Sequence, residues 1–374
     1  MKKVLILVDS LRIGGAERAL ATMLAKIDLS RYDITVLSIA DGGYFADLIK
    51  ANDAIHYRYI ASSKATFFDK VRIKLIYKFL SAKLVYKWFV PKDNNVEIAF
   101  CEGFTTKVIG ASTNKVAKRI AWVHTDLKGN NWPLANGIFN SLEEEVSCYA
   151  CYNTVVGVSD IIKNGLFDIL RNKDIRRIYN LIDESEIKSK SLHPSLYALE
   201  RERFNIVSVG RLEYVKGYDR LINAFSQLRN DGFKDITLTI VGDGSQRERL
   251  SEQINKNHLE DVVTLTGSQE NPYAIMRGRD LFVCASRYEG YNIAIVEAMI
   301  LNLPVLSTKC SGPEEVLQNG RYGTLCDNNE QGLYEGIKAY LVKASYGSVT
   351  KNQTSRKEIV SEQEQILEQL YCLL

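Results

Sequence analysis

Short apolar runs alternate with helix-spaced stretches along the whole chain. Lys3–Val8, Asp33–Ala40, Val96–Cys101, Arg119–Val123, Thr154–Ser159 and Arg176–Tyr179 have the length and composition of buried strands. After a polar interval, Asn205–Gly210, Ile236–Gly242, Val262–Thr266, Leu281–Ala285 and Leu303–Ser307 repeat the plan. Strands separated by amphipathic helices pair in parallel, because the crossover needs a dozen or more residues. The class is therefore α/β. Two domains are expected, since 374 residues exceed one typical core. The polar stretch Asp183–Arg203, with the only proline between Pro133 and Pro272, is the expected interdomain linker. The domains then run 1–185 and 186–354. A terminal helix over 355–374 carries Ile359, Ile366, Leu370 and Leu373 at helical spacing.

At 46% hydrophobic and 25% charged, the composition is globular, with no run of about 18 apolar residues that could span a bilayer. Asp9 and Arg12 interrupt the first apolar run, so it reads as a buried strand and not as a signal peptide. Seven scattered cysteines, an odd number, are the usage of a reducing, cytoplasmic compartment. Cys148 and Cys151 have metal or redox spacing, but no second pair or nearby histidine completes a site, which favours helix packing. The net charge of +3 conceals a local feature. Residues 64–92 hold eight basic residues against the single acid Asp69, so the rest of the chain is net acidic.

In that stretch Val71, Leu75, Phe79, Ala82, Tyr86 and Phe89 share a helical face, beside a stripe of Lys70, Lys74 and Lys78. Ile73, Ile76, Leu80, Leu84 and Trp88 widen the apolar surface. Such a helix suits an anionic membrane interface, and equally a core helix with solvated lysines. No nucleic-acid recognition motif accompanies it.

The chemistry concentrates at Asp280–Thr308. Asn292 can cap a helix from Ile293 to about Leu301, entered through the turn Arg287–Tyr291. The first amides of that helix, at Ile293 and Ala294, would be unpaired donors at the positive end of a dipole, suited to phosphate. Glu289 lies just before the helix and Glu297 one turn into it. Upstream, Arg211 and Lys216 follow a strand and precede a helix, where two cations can meet a diphosphate as charge develops on it. The alternatives are two solvated carboxylates and a surface ion pair with Glu213.

Glu289 and Glu297 at this spacing between two strands, with Gly290-Tyr291 after the first and Ala298-Met299 after the second, resemble the donor-site signature of retaining glycosyltransferases of family 4. The resemblance spans nearly the whole chain, more specifically in its second half. It implies a GT-B fold, two Rossmann-like domains with parallel sheets facing across a cleft, with the terminal helix crossing back to the first domain. It implies that Glu289 contacts the donor sugar, Glu297 the ribose hydroxyls, and the Asn292, Ile293 and Ala294 backbone the diphosphate clamped by Arg211 and Lys216. Asn292 stands where the family often has glycine. Backbone groups near Ser268 and Gln269 would border the base, and Ser311–Glu315 would be an exposed turn beside the cleft.

In the first half, Gly14-Gly15-Ala16-Glu17-Arg18 opens a helix directly after the first strand, where glycines allow close backbone approach. It lacks the dinucleotide fingerprint and the Walker ending. By resemblance it lines the cleft near the donor phosphates. His124 ends a strand, at the edge where open α/β sheets bind ligands, and matches a family histidine that contacts the donor sugar. Asp126 could partner it or build a turn.

The expected reaction is retaining transfer of a hexosyl unit from a nucleotide diphosphate sugar, UDP-sugar favoured, to a saccharide, lipid-linked if residues 64–92 meet the inner face of a membrane, in synthesis of capsule or O-antigen. No Asp-x-Asp occurs, so no metal or other cofactor is expected. The rivals are a nucleotide-sugar epimerase of the same fold and a non-catalytic partner subunit.

Overall fold

The computed structural model describes residues 1–62, 80–171, 173–197, 199–200, 202–345 and 354–374. Two compact units are present, one of Met1–Ile182 with Glu364–Leu374 and one of Asp183–Gln363.

The first unit carries β1 (Lys2–Val8), β2 (Tyr32–Ala40), β3 (Ile55–Ala61), β4 (Val96–Ala99), β5 (Lys118–Val123), β6 (Thr154–Gly157) and β7 (Ile175–Arg177). They form one parallel sheet in the order β3-β2-β1-β4-β5-β6-β7. Val4 to Val8 are at most 2% exposed, because β1 lies between two strands and has helices on its faces. β3 was missed in the sequence: His56, Tyr57, Arg58 and Tyr59 lie on a sheet edge and lack a continuous apolar run. At the C-terminus, Tyr371 stacks on Tyr32 with ring centroids 6.4 Å apart, and Lys118 Nζ donates to the Leu373 carbonyl at 2.6 Å.

The second unit carries β8 (Phe204–Val209), β9 (Ile236–Val241), β10 (Val263–Leu265), β11 (Leu281–Cys284), β12 (Val305–Thr308) and β13 (Thr324–Cys326), in the parallel order β10-β9-β8-β11-β12-β13. β13, three residues long and half exposed, also escaped the sequence reading. Helix Ile293–Ile300 is buried at every position but Ala294, so its hydrophobicity runs all round rather than in a stripe. The stretch expected to hold the linker begins where the two units divide, and it carries helix Glu184–Ser191, capped by Asp183 and laced by Glu184–Lys188 and Glu186–Lys190 pairs.

In both sheets the strand order reverses at the centre, between β1 and β4 and between β8 and β11. Chains leaving the carboxyl ends of those neighbours diverge to opposite faces and open a crevice there. Gly14 and Gly15 follow β1, Arg211–Lys216 follow β8, and Glu289 and Asn292 follow β11. Lys70, Lys74, Lys78, Val71, Ile73, Leu75, Ile76 and Phe79 lie outside the described residues.

Candidate functional site

In the second unit, the segment after β8 makes one 3₁₀ turn, Tyr214–Lys216, and reverses at Gly217 into helix Tyr218–Asn230. Gly217 has φ +68°, and a Cβ there would lie 2.1 Å from the Ala285 carbonyl oxygen. Only glycine permits this approach between the β8 loop and the end of β11. Two arginines hold the same contact. Arg287 forks onto Asp219 at 2.8 and 2.7 Å and lies 4.0 Å from the Tyr214 ring centroid. Arg220 donates to the Ala285 carbonyl at 2.8 Å. Burial raises the Asp219 pKa, and Arg287 together with the Arg220 and Asp219 backbone amides more than offsets it, leaving the carboxyl below its ordinary value.

This frame brings Lys216 to Glu289, Nζ to Oε2 at 2.6 Å, with the side chains 18% and 14% exposed. Ser286, nearly fully buried, donates its hydroxyl to the same oxygen at 2.9 Å. Glu213 is not the partner of Lys216: it accepts from the Ser245 amide and hydroxyl at 3.1 and 2.6 Å. Arg211 is exposed and makes no side-chain hydrogen bond or ion pair with the described residues. Among them the site thus holds one cation engaged with a carboxylate and one open to solvent.

Asn292 caps helix Ile293–Ile300, its Oδ1 accepting the Ile295 amide at 3.2 Å while its Nδ2 contacts Cys284 Sγ at 3.2 Å. Ile293 and Ala294 are the first two residues of that helix, so their N–H groups have no partner within it. Ser311–Glu315, expected as an exposed turn, instead begins helix Ser311–Val316 with Gly312 and Pro313 buried. The Gly312 amide donates to the Glu289 carbonyl at 3.0 Å, and a Cβ at Gly312 would meet the Gly290 backbone at 2.9 Å. The turn was misread because its polar residues conceal a tight backbone contact.

Glu297 is 3% exposed, the one charged residue of its helix, and its Oε1 accepts the Tyr273 hydroxyl at 2.9 Å. Tyr273 belongs to helix Pro272–Met276, which begins just after the loop of Ser268 and Gln269. Ser268 is exposed, and Gln269 Nε2 donates to the Thr266 carbonyl at 3.1 Å.

In the first unit, Gly14 precedes helix Gly15–Lys26 in extended backbone, and a Cβ on Gly15 would meet nothing within 4 Å. His124 follows β5. Its Nε2 is shielded from solvent with no partner among the described residues, and its ring centroid is 5.1 Å from that of Phe100. Burial lowers its pKa, opposed by Glu102 and the Phe100 backbone, so the imidazole stays neutral. Asp126 builds a turn, accepting the Lys128 and Gly129 amides at 3.1 Å each. Cys148 and Cys151 are free thiols at the end of helix Leu142–Ala150, with Cys148 pushed up to about 12 by burial.

Sequence reasoning missed Ser286, Tyr273, the Arg287–Asp219 fork and Glu102. Glu102 was the most accessible: a carboxylate directly after the apolar run Val96–Cys101 and before Gly103 marks the mouth of a strand.

Solved structures superpose on the whole chain. Anabaena Alr3699/HepE in complex with UDP and glucose has a TM-score of 0.77 at 21% identity, covering 100% of both chains. Sucrose-phosphate synthase from Thermosynechococcus elongatus gives 0.78 at 15% identity, over 100% of this chain and 98% of that one. Together with the two parallel sheets, they define the fold as GT-B. Residues 194–355 match the family described as Glycosyl transferases group 1, so the second unit contains a domain of that family. Over 96% of this chain and 95% of the other, it is 27% identical to the N-acetylgalactosamine-N,N'-diacetylbacillosaminyl-diphospho-undecaprenol 4-alpha-N-acetylgalactosaminyltransferase of Campylobacter jejuni. The amylovoran biosynthesis glycosyltransferase AmsD of Erwinia amylovora is 24% identical over 88% of each chain.

Proposed function

We propose that the protein transfers a hexosyl unit, with retention, from a UDP-sugar to a lipid-linked saccharide during synthesis of a cell-surface polysaccharide. The observation that carries this reading is the ion pair of Lys216 with Glu289, at the point where the second sheet reverses, in the loops that also carry Arg211 after β8 and the Asn292-capped helix after β11. The diphosphate would lie on the Ile293 and Ala294 amides, with Lys216 and Arg211 compensating charge on the leaving oxygen. Glu289, held by Ser286, would orient sugar hydroxyls. Glu297, fixed by Tyr273, would take the ribose hydroxyls. Ser268 and Gln269 would border the base.

The acceptor hydroxyl oxygen forms the new bond to the anomeric carbon on the face that the diphosphate leaves. The carbon–oxygen bond to phosphate breaks with its electron pair, and the hydroxyl proton passes to the departing phosphate oxygen. Neutral His124 would contact the donor sugar, and the Gly14-Gly15 loop would allow close backbone approach to the ligand. Two relatives support the substrate classes: UDP and glucose accompany Alr3699/HepE, and the Campylobacter enzyme is named for a diphospho-undecaprenol acceptor.

The lipid-linked acceptor has a further support. Helix Ala82–Phe89 buries Val85 and Tyr86 and exposes Lys83, Leu84, Lys87 and Trp88 together, with Trp88 59% exposed. That basic, aromatic surface fits an anionic lipid face, which would make the enzyme peripheral on the inner leaflet. Among the described residues, no helix is long and apolar enough to cross a membrane.

A panel of nucleotide sugars, scored first by thermal stabilisation and then by transfer to an undecaprenyl-diphosphate saccharide, tests the reading. The anomeric configuration of the product, read by NMR, must match the donor. UDP release that proceeds without any acceptor, with the sugar inverted at another carbon, would instead identify an epimerase. No binding of any nucleotide sugar would identify a non-catalytic subunit. Vesicle co-sedimentation should require anionic lipid and weaken in the K83Q/K87Q/W88S variant.

A further inference from the structure

The ladder between β4 and β5 ends at Ala99 and Ala121, and Val123 is the last residue of β5. The next amide, that of His124, donates instead to a side chain: Glu102 Oε2, at 2.9 Å. The other oxygen of Glu102 accepts the Thr125 hydroxyl at 2.8 Å and the Trp132 indole N–H at 3.0 Å. Glu102 is 4% exposed, so these three donors replace its hydration. Its carboxylate extends the sheet by one more contact, just beyond the place where the two strands diverge. Gly103, at φ +100°, lets the Trp132 ring close over the turn, since a Cβ there would lie 3.0 Å from the ring.

A second buried carboxyl stands behind it. Glu145 is 1% exposed, with Oε2 accepting from Asn131 Nδ2 at 2.6 Å and Oε1 unpartnered among the described residues. Burial and the nearby charge of Glu102 raise its pKa, against the Asn131 hydrogen bond. Of the two carboxyls, Glu102 is the one that gathers three donors, from His124, Thr125 and Trp132.

We infer that Glu102 is a positioning residue of the transfer reaction, holding the mouth of β5 so that the His124 ring stands at one place and angle. The inference rests on the role proposed for His124 and names the group behind it. The His124 ring packs on Phe100, and a loop free to shift at the His124 amide would carry the ring away from that place; displacement by about 1 Å at a reacting centre costs on the order of 100-fold.

The test uses Glu102→Gln in the full chain. The amide keeps the shape but sets an N–H₂ group against either the His124 amide or the Thr125 and Trp132 donors, so one contact must fail. With saturating donor, kcat should fall about 10- to 100-fold while UDP affinity, set in the other unit, stays within about 2-fold. The His124 ring resonance, one of four histidines, should move in the NMR spectrum of E102Q. H124A with E102Q should be no slower than H124A alone.

A His124 resonance unmoved by E102Q, or losses that multiply in the double variant, would overturn the inference with the role of His124 intact. H124A as active as the parent would remove that role, and the catalytic part of this inference with it. If E102Q does not accumulate folded, Trp132→Phe withdraws one donor and keeps the ring, and kcat should fall about 2- to 5-fold in the same pattern. Unchanged kcat and an unchanged His124 signal in W132F would count equally against the inference.

Discussion

Replacing Glu289 by glutamine should tighten the binding of UDP while abolishing most transfer. Lys216 Nζ is 2.6 Å from Glu289 Oε2, and the two side chains are 18% and 14% exposed. At an effective dielectric of about 20 the raw attraction over that distance is about 6 kcal/mol. Desolvation of both groups offsets most of it, leaving about 1 to 3 kcal/mol for a partly buried pair. A diphosphate approaching Lys216 must compete with that carboxylate and endure its repulsion. Without the charge, UDP should bind about 10-fold tighter, or about 1.4 kcal/mol. The ligand-free protein should melt about 2 to 6 °C lower, because Lys216 loses its partner. Calorimetric titration with UDP at low and at 0.5 M salt, beside Lys216→Gln as the opposite perturbation, measures both effects. K216Q should weaken UDP by about 10-fold or more. Equal or weaker UDP binding by E289Q would refute the reasoning, since it would mean that Glu289 does not hold Lys216 away from phosphate.

Other perturbations separate frame from chemistry. Gly217→Ala forces a Cβ to 2.1 Å from the Ala285 oxygen at φ +68°, and should cost about 2 kcal/mol or more in urea unfolding. Arg287→Lys keeps the charge but loses the fork onto Asp219, so stability should fall by about 1 kcal/mol and KM for the donor rise several-fold with kcat little changed. Tyr273→Phe frees the Glu297 carboxylate and should raise donor KM about 3- to 10-fold, more for ribosyl than for 2'-deoxyribosyl nucleotides. Because burial lowers the folded pKa of His124, the unfolded chain binds a proton more readily there. Stability should therefore drop as pH falls below about 6.5, by up to about 1 kcal/mol in the next pH unit, and H124Q should lack that share of the slope in paired melting curves.

Much of this molecule is local information. The alternation of apolar runs and helical stretches specified two parallel α/β sheets, because strand and helix periods are properties of a short window. The spacing of Glu289 and Glu297 around Asn292 put one carboxylate before a helix and one within it, and a capped helix start requires only consecutive residues. Two of the edge strands, Ile55–Ala61 and Thr324–Cys326, were illegible, since their exposed positions leave no continuous apolar run. Tertiary structure alone decided which groups meet. Lys216 and Glu289 are 73 residues apart, and so is their ion pair from any window of sequence. Glu102 and His124 come from neighbouring strands, 22 residues apart, through a side chain that finishes a backbone ladder. A hydrogen bond of this kind depends on where strands end relative to one another in space, and that register arises only when the sheet forms.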